Sequence, residues 1–455
     1  MNIIRSLKNN LHKSQAINAN KKYGYPNKKL KIIGVTGTDG KTTTVSLIYH
    51  ILKAAKLKVG FISSVEAKIG DKSLDTGLHV TSPDPWILPK YLKMMVDQDI
   101  EYAILETTSQ GLDQHRFEGI KFDAAVITNI REDHLDYHTN WEKYAAAKFT
   151  LLRNLKEESI AVLNADDEKS AQWLRKKSAD LKQNIYVKWS SRKSVVGIKL
   201  SLNYIAFQYN SVEFMIPIPG MEYNLDNILE AILLCESLLP LSEIKKALES
   251  FKMPKGRMEV VLEEPLEIIV DFAHTAPALS YSLPSLAKLL PKGKKLTTVF
   301  GCAGKRDKGR RRMGKSAAKY SDLIILTAED PRSEKVAAIN TEIYNYAKQE
   351  NGILIQRFRN HDDYVLTSLG EIHAKIAHAW KNNQKPVICF DEDNKNSRRD
   401  AIELAIRLAR RGDFLYITGK GHEQSLAFGN NEKEYAWNDP TEITEALARL
   451  NILNN

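Results

Sequence analysis

The chain has 455 residues, 43% of them hydrophobic and 27% charged, with a formal charge of +10. That length exceeds one ordinary core and predicts two or three domains of a globular protein. No apolar run approaches the roughly 20 residues that span a bilayer, and the opening stretch MNIIRSLKNNLHKSQAINANKKYG lacks the uninterrupted apolar core of a signal peptide, so no membrane partner and a cytoplasmic location are expected.

The positive balance raises nucleic acid as a partner. The lysines are dispersed, however, and no arginine or aromatic recognition element stands out among them, so no nucleic-acid partner is expected. Cys235, Cys302 and Cys389 are widely separated and odd in number, which provides neither a disulfide framework nor a zinc knuckle. Buried apolar fillers are the expectation for them.

In chain order, the first strong element is IIGVTGTDGKTTTVSLIYHIL, residues 32–52, which reads as a strand, a glycine turn and a helix. Ile48, Ile51, Leu52 and Ala55 recur at helical spacing behind Lys41, Thr42 and Thr43. Gly34, Gly37 and Gly40 expose backbone N–H groups at the positive end of the helix dipole, an arrangement that suits an anionic oxygen. Lys41 adds a point charge, and the Thr42 hydroxyl suits magnesium. The strict G-x-x-x-x-G-K-[ST] spacing would need glycine in place of Val35, so this is a variant phosphate loop. The alternative is a glycine turn inside an ordinary α/β unit.

The segments EYAILETTSQ, DAAVITNI and SIAVLNADD then alternate with helical stretches such as 141–155, which predicts a mostly parallel sheet wrapped by helices. Glu106 ends the apolar run YAILE, where a magnesium-directed acid sits in a nucleotide-binding sheet; a solvated strand-end carboxylate is the other reading. His134 and His138 lie four apart with Asp133 and Asp136 between them, a spacing that suits a zinc pair on a helix, yet no H-E-x-x-H and no third ligand accompany them. Lys148 falls on the apolar side of a helix with Tyr144, Leu151 and Leu152, where spacing alone predicts a snorkelling stem. Residues 184–218 predict short antiparallel strands appended to the sheet, and 221–250 return to helix.

A second α/β series begins near Pro254 with LEIIVDFAH, KLTTVFGCAGKRD, DLIILTAEDPRSE, KPVICFDED and DFLYITGKGHE. In each, polar or glycine residues follow the apolar strand, at the carboxyl edge where open α/β sheets bind ligands. Two such sheets facing one another would place their loops across a shared cleft.

Together these segments resemble the Mur ligases, and most closely the MurE branch, ATP-dependent amide ligases that add the third amino acid to the peptidoglycan precursor UDP-N-acetylmuramoyl-L-alanyl-D-glutamate. The resemblance runs from about residue 22 to 455. It rests on YGYPNKKLKIIGVTGTDGKTT, TSPDP, LETTSQGLDQHR, TNIREDHLDYH, YAAAKFTLL, GMEYNLDN, GRMEVV, DFAHT, FGCAGKRDKGRRRMG, EDPRSE and GKGHE, all in family order. It implies a central ATP-binding domain with a P-loop ATPase-type, mostly parallel sheet over residues 31–253, and a C-terminal Rossmann-like α/β domain over 254–455. Residues 1–30 would be a short segment and linker, a remnant of the family's uridine-binding domain.

The resemblance also implies roles. Gly37, Thr38, Asp39, Gly40, Lys41, Thr42 and Thr43 would hold the ATP phosphates, with Thr42 and Glu106 on one magnesium. His134 and Lys148, the latter carbamylated in the family, would hold a second magnesium, and Lys41, Glu106, His134 and Lys148 would form the catalytic set. Asn224, Asn227, Arg257 and Asp271 match adenosine-binding positions, with His274 close by. Thr81, Ser82, Thr108, Gln114 and Arg116 match positions that contact the muramoyl-peptide acceptor. Arg306, Glu329, Asp330, Pro331, Arg332, Gly419 and Glu423 would grip the incoming amino acid, because an arginine fork suits a carboxylate and Glu423 suits an ammonium. The implied chemistry is transfer of the ATP γ-phosphoryl to the acceptor carboxylate, then attack of the free amine on the acyl phosphate, with the C-terminal domain closing over the central one.

Several positions depart from the family pattern. The segment before the linker is far shorter than the family's uridine-binding domain, so a differently carried muramoyl-peptide, or a partner chain supplying the missing surface, stands beside the UDP-linked dipeptide as acceptor. Gln110 replaces the usual histidine of the motif, and Asp39 the usual asparagine of the phosphate loop. The diaminopimelate motif DNPR reads EDPR, with Asp330 in place of asparagine. Arg332 is retained and favours meso-2,6-diaminopimelate over lysine. Among alternatives, the amidating subunit related to Mur ligases carries a four-cysteine zinc ribbon that three cysteines cannot make. Folylpolyglutamate and cyanophycin-type ligases fit DHLDYH, EDPR and GKGHE less well. A non-catalytic ATP switch or scaffold would show a degenerate site, whereas Lys41, Glu106, His134, Lys148 and Arg332 are all present.

Overall fold

The computed structural model describes residues 2–74, 84–181, 184–306 and 308–452. Two compact units make up the chain, Met1–Lys252 and Met253–Asn455.

In the first unit, β1 (Lys31–Thr36), β2 (Val59–Ile62), β3 (Ala67–Ile69), β4 (Lys72–Leu74), β5 (Tyr102–Glu106), β6 (Phe122–Ile127), β7 (Leu155–Asn164) and β8 (Tyr186–Ser190) form one sheet, in the order β4-β3-β2-β5-β1-β6-β7-β8. Every pairing from β2 to β8 is parallel, and β3 and β4 extend the β2 edge antiparallel. The central strands are near-continuous apolar runs because helices cover both faces; β1 is buried from Ile32 to Thr36. Gly34 of β1 has no room for a side chain, since a Cβ there would press on Leu151 and Phe122. That close approach seats the helix Trp141–Arg153 against the sheet.

The antiparallel reading of residues 184–218 holds for only part of that stretch. β8 runs parallel to β7, because the helix Glu168–Ser178 between them makes a β-α-β crossover. β9 (Val196–Leu200), β10 (Ile205–Tyr209) and β11 (Val212–Ile216) form a separate antiparallel sheet. The N-terminal helix Asn2–Lys22 is tied to this unit, with Asn20 Nδ2 donating to the Glu118 carbonyl at 3.3 Å. Just beyond it, Asn27 Nδ2 donates to the Gly119 carbonyl at 2.8 Å.

The second unit is built on β12 (Glu259–Leu262), β13 (Glu267–Asp271), β14 (Leu296–Phe300), β15 (Leu323–Leu326), β16 (Gly352–Phe358), β17 (Lys385–Phe390) and β18 (Phe414–Thr418), in the order β12-β13-β18-β14-β15-β17-β16. Only the β12 pairing is antiparallel. A hairpin, β19 (Ser425–Phe428) and β20 (Lys433–Ala436), follows. The carboxyl ends of β13, β14, β15 and β18 lead into Phe272, Gly301, Thr327 and Gly419 respectively. Cys235, Cys302 and Cys389 are buried and unpaired, as packing fillers would be. Among the described residues no helix is long and apolar enough to cross a membrane.

Candidate active site

In the first unit the site is assembled at the carboxyl ends of β2, β5, β1 and β6. The helix Lys41–Ala54 starts directly after Gly40, whose φ of 83° is one that glycine adopts without strain. A Cβ at Gly40 would collide with the Asn227 side chain, and one at Gly37 with the Thr128 hydroxyl. The loop backbone is clamped by the segment after β6. Asp39 N–H donates to Asn129 Oδ1 at 2.9 Å, while Thr128 Oγ1 and Asn129 Nδ2 donate to the Asp39 carbonyl at 2.6 and 3.1 Å. Thr38 Oγ1 lies 3.0 Å from the Tyr144 hydroxyl.

Glu106, 2% exposed at the end of β5, accepts from Thr42 Oγ1 at 3.0 Å and from the Ser64 backbone N–H at 3.0 Å, both on Oε2. A solvated strand-end carboxylate is thereby ruled out. Two hard oxygen donors held this way fit a magnesium ion, which takes one or two protein oxygens and completes its shell with water and phosphate. Lys41 Nζ donates to the Gly37 and Thr38 carbonyls at 3.1 and 2.7 Å, so the ammonium is folded over its own loop.

Lys148 is not a snorkelling surface lysine. It is 1% exposed, its Nζ donates to the Gly37 carbonyl at 2.5 Å, and it stands 4.5 Å from the centre of the Tyr144 ring. Burial first, and the nearby Lys41 charge second, push its pKa well below the ordinary lysine value. His134 borders the same Tyr144 ring at 6.4 Å, has a φ of 52°, and is half-exposed beside Asp133. The zinc pair on one helix does not form: His134 precedes the four-residue helix Leu135–His138, and His138 is buried with Nε2 3.0 Å from Ser109 Oγ. The Asp136 side chain lies outside the described residues.

For the acceptor, Thr81 and Ser82 lie outside the described residues. Thr108 caps the short helix Ser109–Asp113 by accepting from Gly111 N–H at 3.0 Å. Gln114 accepts from Arg116 Nε at 2.9 Å and donates to Tyr137 OH at 3.1 Å, so the two predicted residues form one polar chain. Asn224 and Asn227 are buried in the helix Glu222–Cys235. Asn227 abuts Gly40, whereas the Asn224 amide donates to the Pro219 carbonyl at 2.9 Å, which makes it a brace for the local chain.

In the second unit, Arg257 stacks 4.7 Å over Phe272, and its Nε is buried without a hydrogen-bond partner. His422 lies 4.9 Å from the same ring, with its Nδ1 likewise unpartnered; burial, then the Arg257 charge, lower its pKa to about 3. The His274 ring lies tilted against Phe272, with centroids 4.5 Å apart. Asp271 is an anchor of this corner, accepting from Met258 N–H at 3.1 Å and Tyr416 OH at 2.8 Å. An aromatic ring with a cation above it and buried polar atoms left without hydrogen-bond partners beside it is suited to a flat heterocycle.

The EDPR segment follows β15. Glu329 is buried, with Oε2 unpartnered and close to Gly419, and burial raises its pKa to about 7. Asp330 accepts from Lys420 Nζ at 2.8 Å and from Ala427 N–H at 3.0 Å. Glu423 also pairs with Lys420, at 2.5 Å, so the acid expected to face an ammonium already has a cation. Pro331 packs its carbonyl against Gly304. Arg332 Nη1 donates to the Gly304 carbonyl at 3.0 Å, and Arg306 is close enough to the Arg332 charge to have its own pKa lowered, chiefly by burial. Buried Arg398 pairs with Asp439 at 2.7 Å and donates to the Ala328 and Thr418 carbonyls, which locks the ends of β15 and β18 together.

Sequence reasoning missed Ser64, Asn129, Tyr144, Lys420, His422 and Arg398 as members of these sites. Lys420 and His422 carried a signal, since both lie in the strand-end segment GKGHE; Ser64 acts through its backbone N–H, and Asn129, Tyr144 and Arg398 through side-chain contacts that no spacing reveals.

Residues 35–235 match the Mur ligase middle domain, and residues 256–362 the Mur ligase glutamate ligase domain. The chain is 34% identical, over 91% of its length and 77% of the relative's, to a UDP-N-acetylmuramoyl-L-alanyl-D-glutamate--2,6-diaminopimelate ligase of Clostridium tetani. It is 32% identical, over 94% and 79%, to a UDP-N-acetylmuramyl-tripeptide synthetase of Borreliella afzelii. A solved structure of a UDP-N-acetylmuramoyl-L-alanyl-D-glutamate--2,6-diaminopimelate ligase superposes with a TM-score of 0.60 at 26% identity, covering 93% of this chain and 79% of that one. With identity above 30% over most of its length and both domain models matched, the chain belongs to the Mur ligase family.

Proposed function

We propose that the protein is an ATP-dependent ligase that joins a diamino acid, meso-2,6-diaminopimelate, to the D-glutamyl carboxylate of UDP-N-acetylmuramoyl-L-alanyl-D-glutamate in peptidoglycan synthesis. The single observation that carries this reading is the Thr42–Glu106 pair under a glycine loop with Lys41 and Lys148, the makings of a phosphoryl-transfer site, in a chain about one third identical to tripeptide synthetases.

A carboxylate is a poor acyl donor because oxide is a poor leaving group. Taking the γ-phosphoryl of ATP converts that oxygen into a leaving phosphate, and the amine then forms the amide. The phosphate loop orients ATP through its backbone, and Lys41 is within a rotamer change of turning from the Gly37 and Thr38 carbonyls to a phosphate oxygen. Magnesium held by Thr42 and Glu106 would neutralise phosphate charge during transfer. Depression of the Lys148 pKa favours the neutral amine, the form that adds to carbon dioxide with loss of a proton to give a carbamate. Such a carbamate, with His134, would be a ligand set for a second magnesium.

In the second unit, Arg306 and Arg332 are suited to the amino-acid carboxylates. Lys420 offsets part of the charge that Asp330 adds in place of asparagine, being shared with Glu423, and Arg332 is the residue that favours diaminopimelate over lysine. Phe272, Arg257 and His422 are suited to the adenine of ATP. The test is product mass after incubation with ATP, magnesium, the dipeptide nucleotide and either amino acid. A tripeptide mass with diaminopimelate alone supports the full reading; one with lysine alone replaces the amino acid; none with either overturns it.

A further inference from the structure

The phosphate loop carries a carboxylate where it is built to attract an anion. Asp39 sits between Thr38 and Gly40, and its backbone is fixed from both sides by Thr128 and Asn129, so the side chain cannot be withdrawn by moving the loop. An uncompensated negative charge there repels a nucleotide phosphate by ordinary Coulomb interaction.

The compensation comes from Arg131. Its Nη1 lies 3.2 Å from Asp39 Oδ2, with the arginine side chain 19% and the aspartate 41% exposed. The backbone of Arg131 is locked to the same loop, its N–H donating to Thr38 Oγ1 at 2.9 Å while its carbonyl accepts from that hydroxyl at 3.3 Å. The main-chain bonds therefore hold the guanidinium within reach of Asp39.

We infer that Arg131 is a positioning residue whose task is to cancel the Asp39 charge, so that the loop presents a net positive face to the nucleotide. The inference rests on the ATP reading of this loop. Removing the arginine while keeping the aspartate should weaken binding, and removing both charges should restore it, which a purely structural role for Arg131 would not produce.

The experiment is titration calorimetry of ADP and magnesium into the wild-type protein, Arg131→Ala, Arg131→Lys, Asp39→Asn and the Asp39→Asn/Arg131→Ala double variant, each checked for an intact thermal transition. Arg131→Ala is expected to raise the Kd by about tenfold at low salt, with the difference shrinking as salt rises. Arg131→Lys keeps most of the affinity, Asp39→Asn alone binds more tightly than wild type, and the double variant returns to within about threefold of wild type. Wild-type binding with an unchanged Arg131→Ala overturns the charge-cancelling role alone, as does a double variant no better than Arg131→Ala. Absence of nucleotide binding by the folded wild-type protein overturns the ATP reading and the inference with it.

Discussion

Thr42 Oγ1 donates to Glu106 Oε2 at 3.0 Å, joining the first turn of the helix after β1 to the end of the neighbouring strand β5. The pair is buried, so exchanging the carboxylate for an amide removes charge without opening a cavity. Glu106→Gln is expected to lower kcat on the order of 10²–10³-fold, while the thermal transition remains cooperative. Steady-state phosphate release checks it; activity within twofold or so of wild type would remove the pair from the chemistry.

Lys148 offers a sharper chemical test, because its proposed form is a carbamate. Lys148→Ala should lose activity on the order of a hundredfold and regain part of it with added acetate or propionate, which supply a carboxylate in the space the side chain leaves. Unaltered activity in Lys148→Ala would exclude the carbamate, and a loss that no carboxylate relieves would assign the lysine to its bond with the Gly37 carbonyl instead.

The crowding between Gly37 and Thr128 predicts a coupled pair. Gly37→Ala forces the loop away from the Thr128 hydroxyl and should raise the ADP Kd by at least about tenfold, equivalent to about 1.4 kcal/mol. Removing that hydroxyl as well, in Gly37→Ala/Thr128→Ala, makes room for the methyl group, so the double variant should bind better than Gly37→Ala alone. Strict additivity of the two Kd effects would show that the clash is relieved elsewhere.

Glu329 sets a pH dependence of stability. Burial raises its pKa from 4.5 to about 7, so between those values the folded protein binds a proton that the unfolded chain has released. Stability from this group is complete below about pH 4.5, is lost as pH rises toward 7, and changes no further above it; the loss is at most about 3 kcal/mol. Glu329→Gln keeps the shape and should flatten that part of the stability–pH curve in urea titrations. An unchanged slope would mean that the carboxyl is ionised in the fold.

Much of this was legible in the sequence where chemistry and periodicity coincide. β1, its glycine turn and the helix opening at Lys41 could be read directly, as could five strands of the second unit with their polar ends. β16 was not read as a strand, because it is a half-buried edge without a continuous apolar run. The sequence predicts an antiparallel β8, whereas it pairs parallel with β7, since pairing direction depends on the crossover helix and not on composition. Lys148 could be placed on an inward helix face, but only the packing of Tyr144 and the Gly37 carbonyl shows why a lysine is held there. Glu423 and Asp330 read as substrate ligands in their motifs; the structure adds that the buried Lys420 lies between them and pairs with both, so its single charge is shared by two carboxylates.

Isotope transfer shows whether the phosphate loop serves amide formation through an acyl phosphate. The dipeptide nucleotide, labelled with oxygen-18 in its D-glutamyl carboxylate, would be turned over with ATP, magnesium and diaminopimelate, and the released phosphate weighed. One labelled oxygen in phosphate is expected for each tripeptide formed, because the carboxylate oxygen that takes the phosphoryl leaves with it when the amine attacks. Unlabelled phosphate, released at the same rate without the amino acid, would show a plain ATP hydrolase and exclude the ligase reaction.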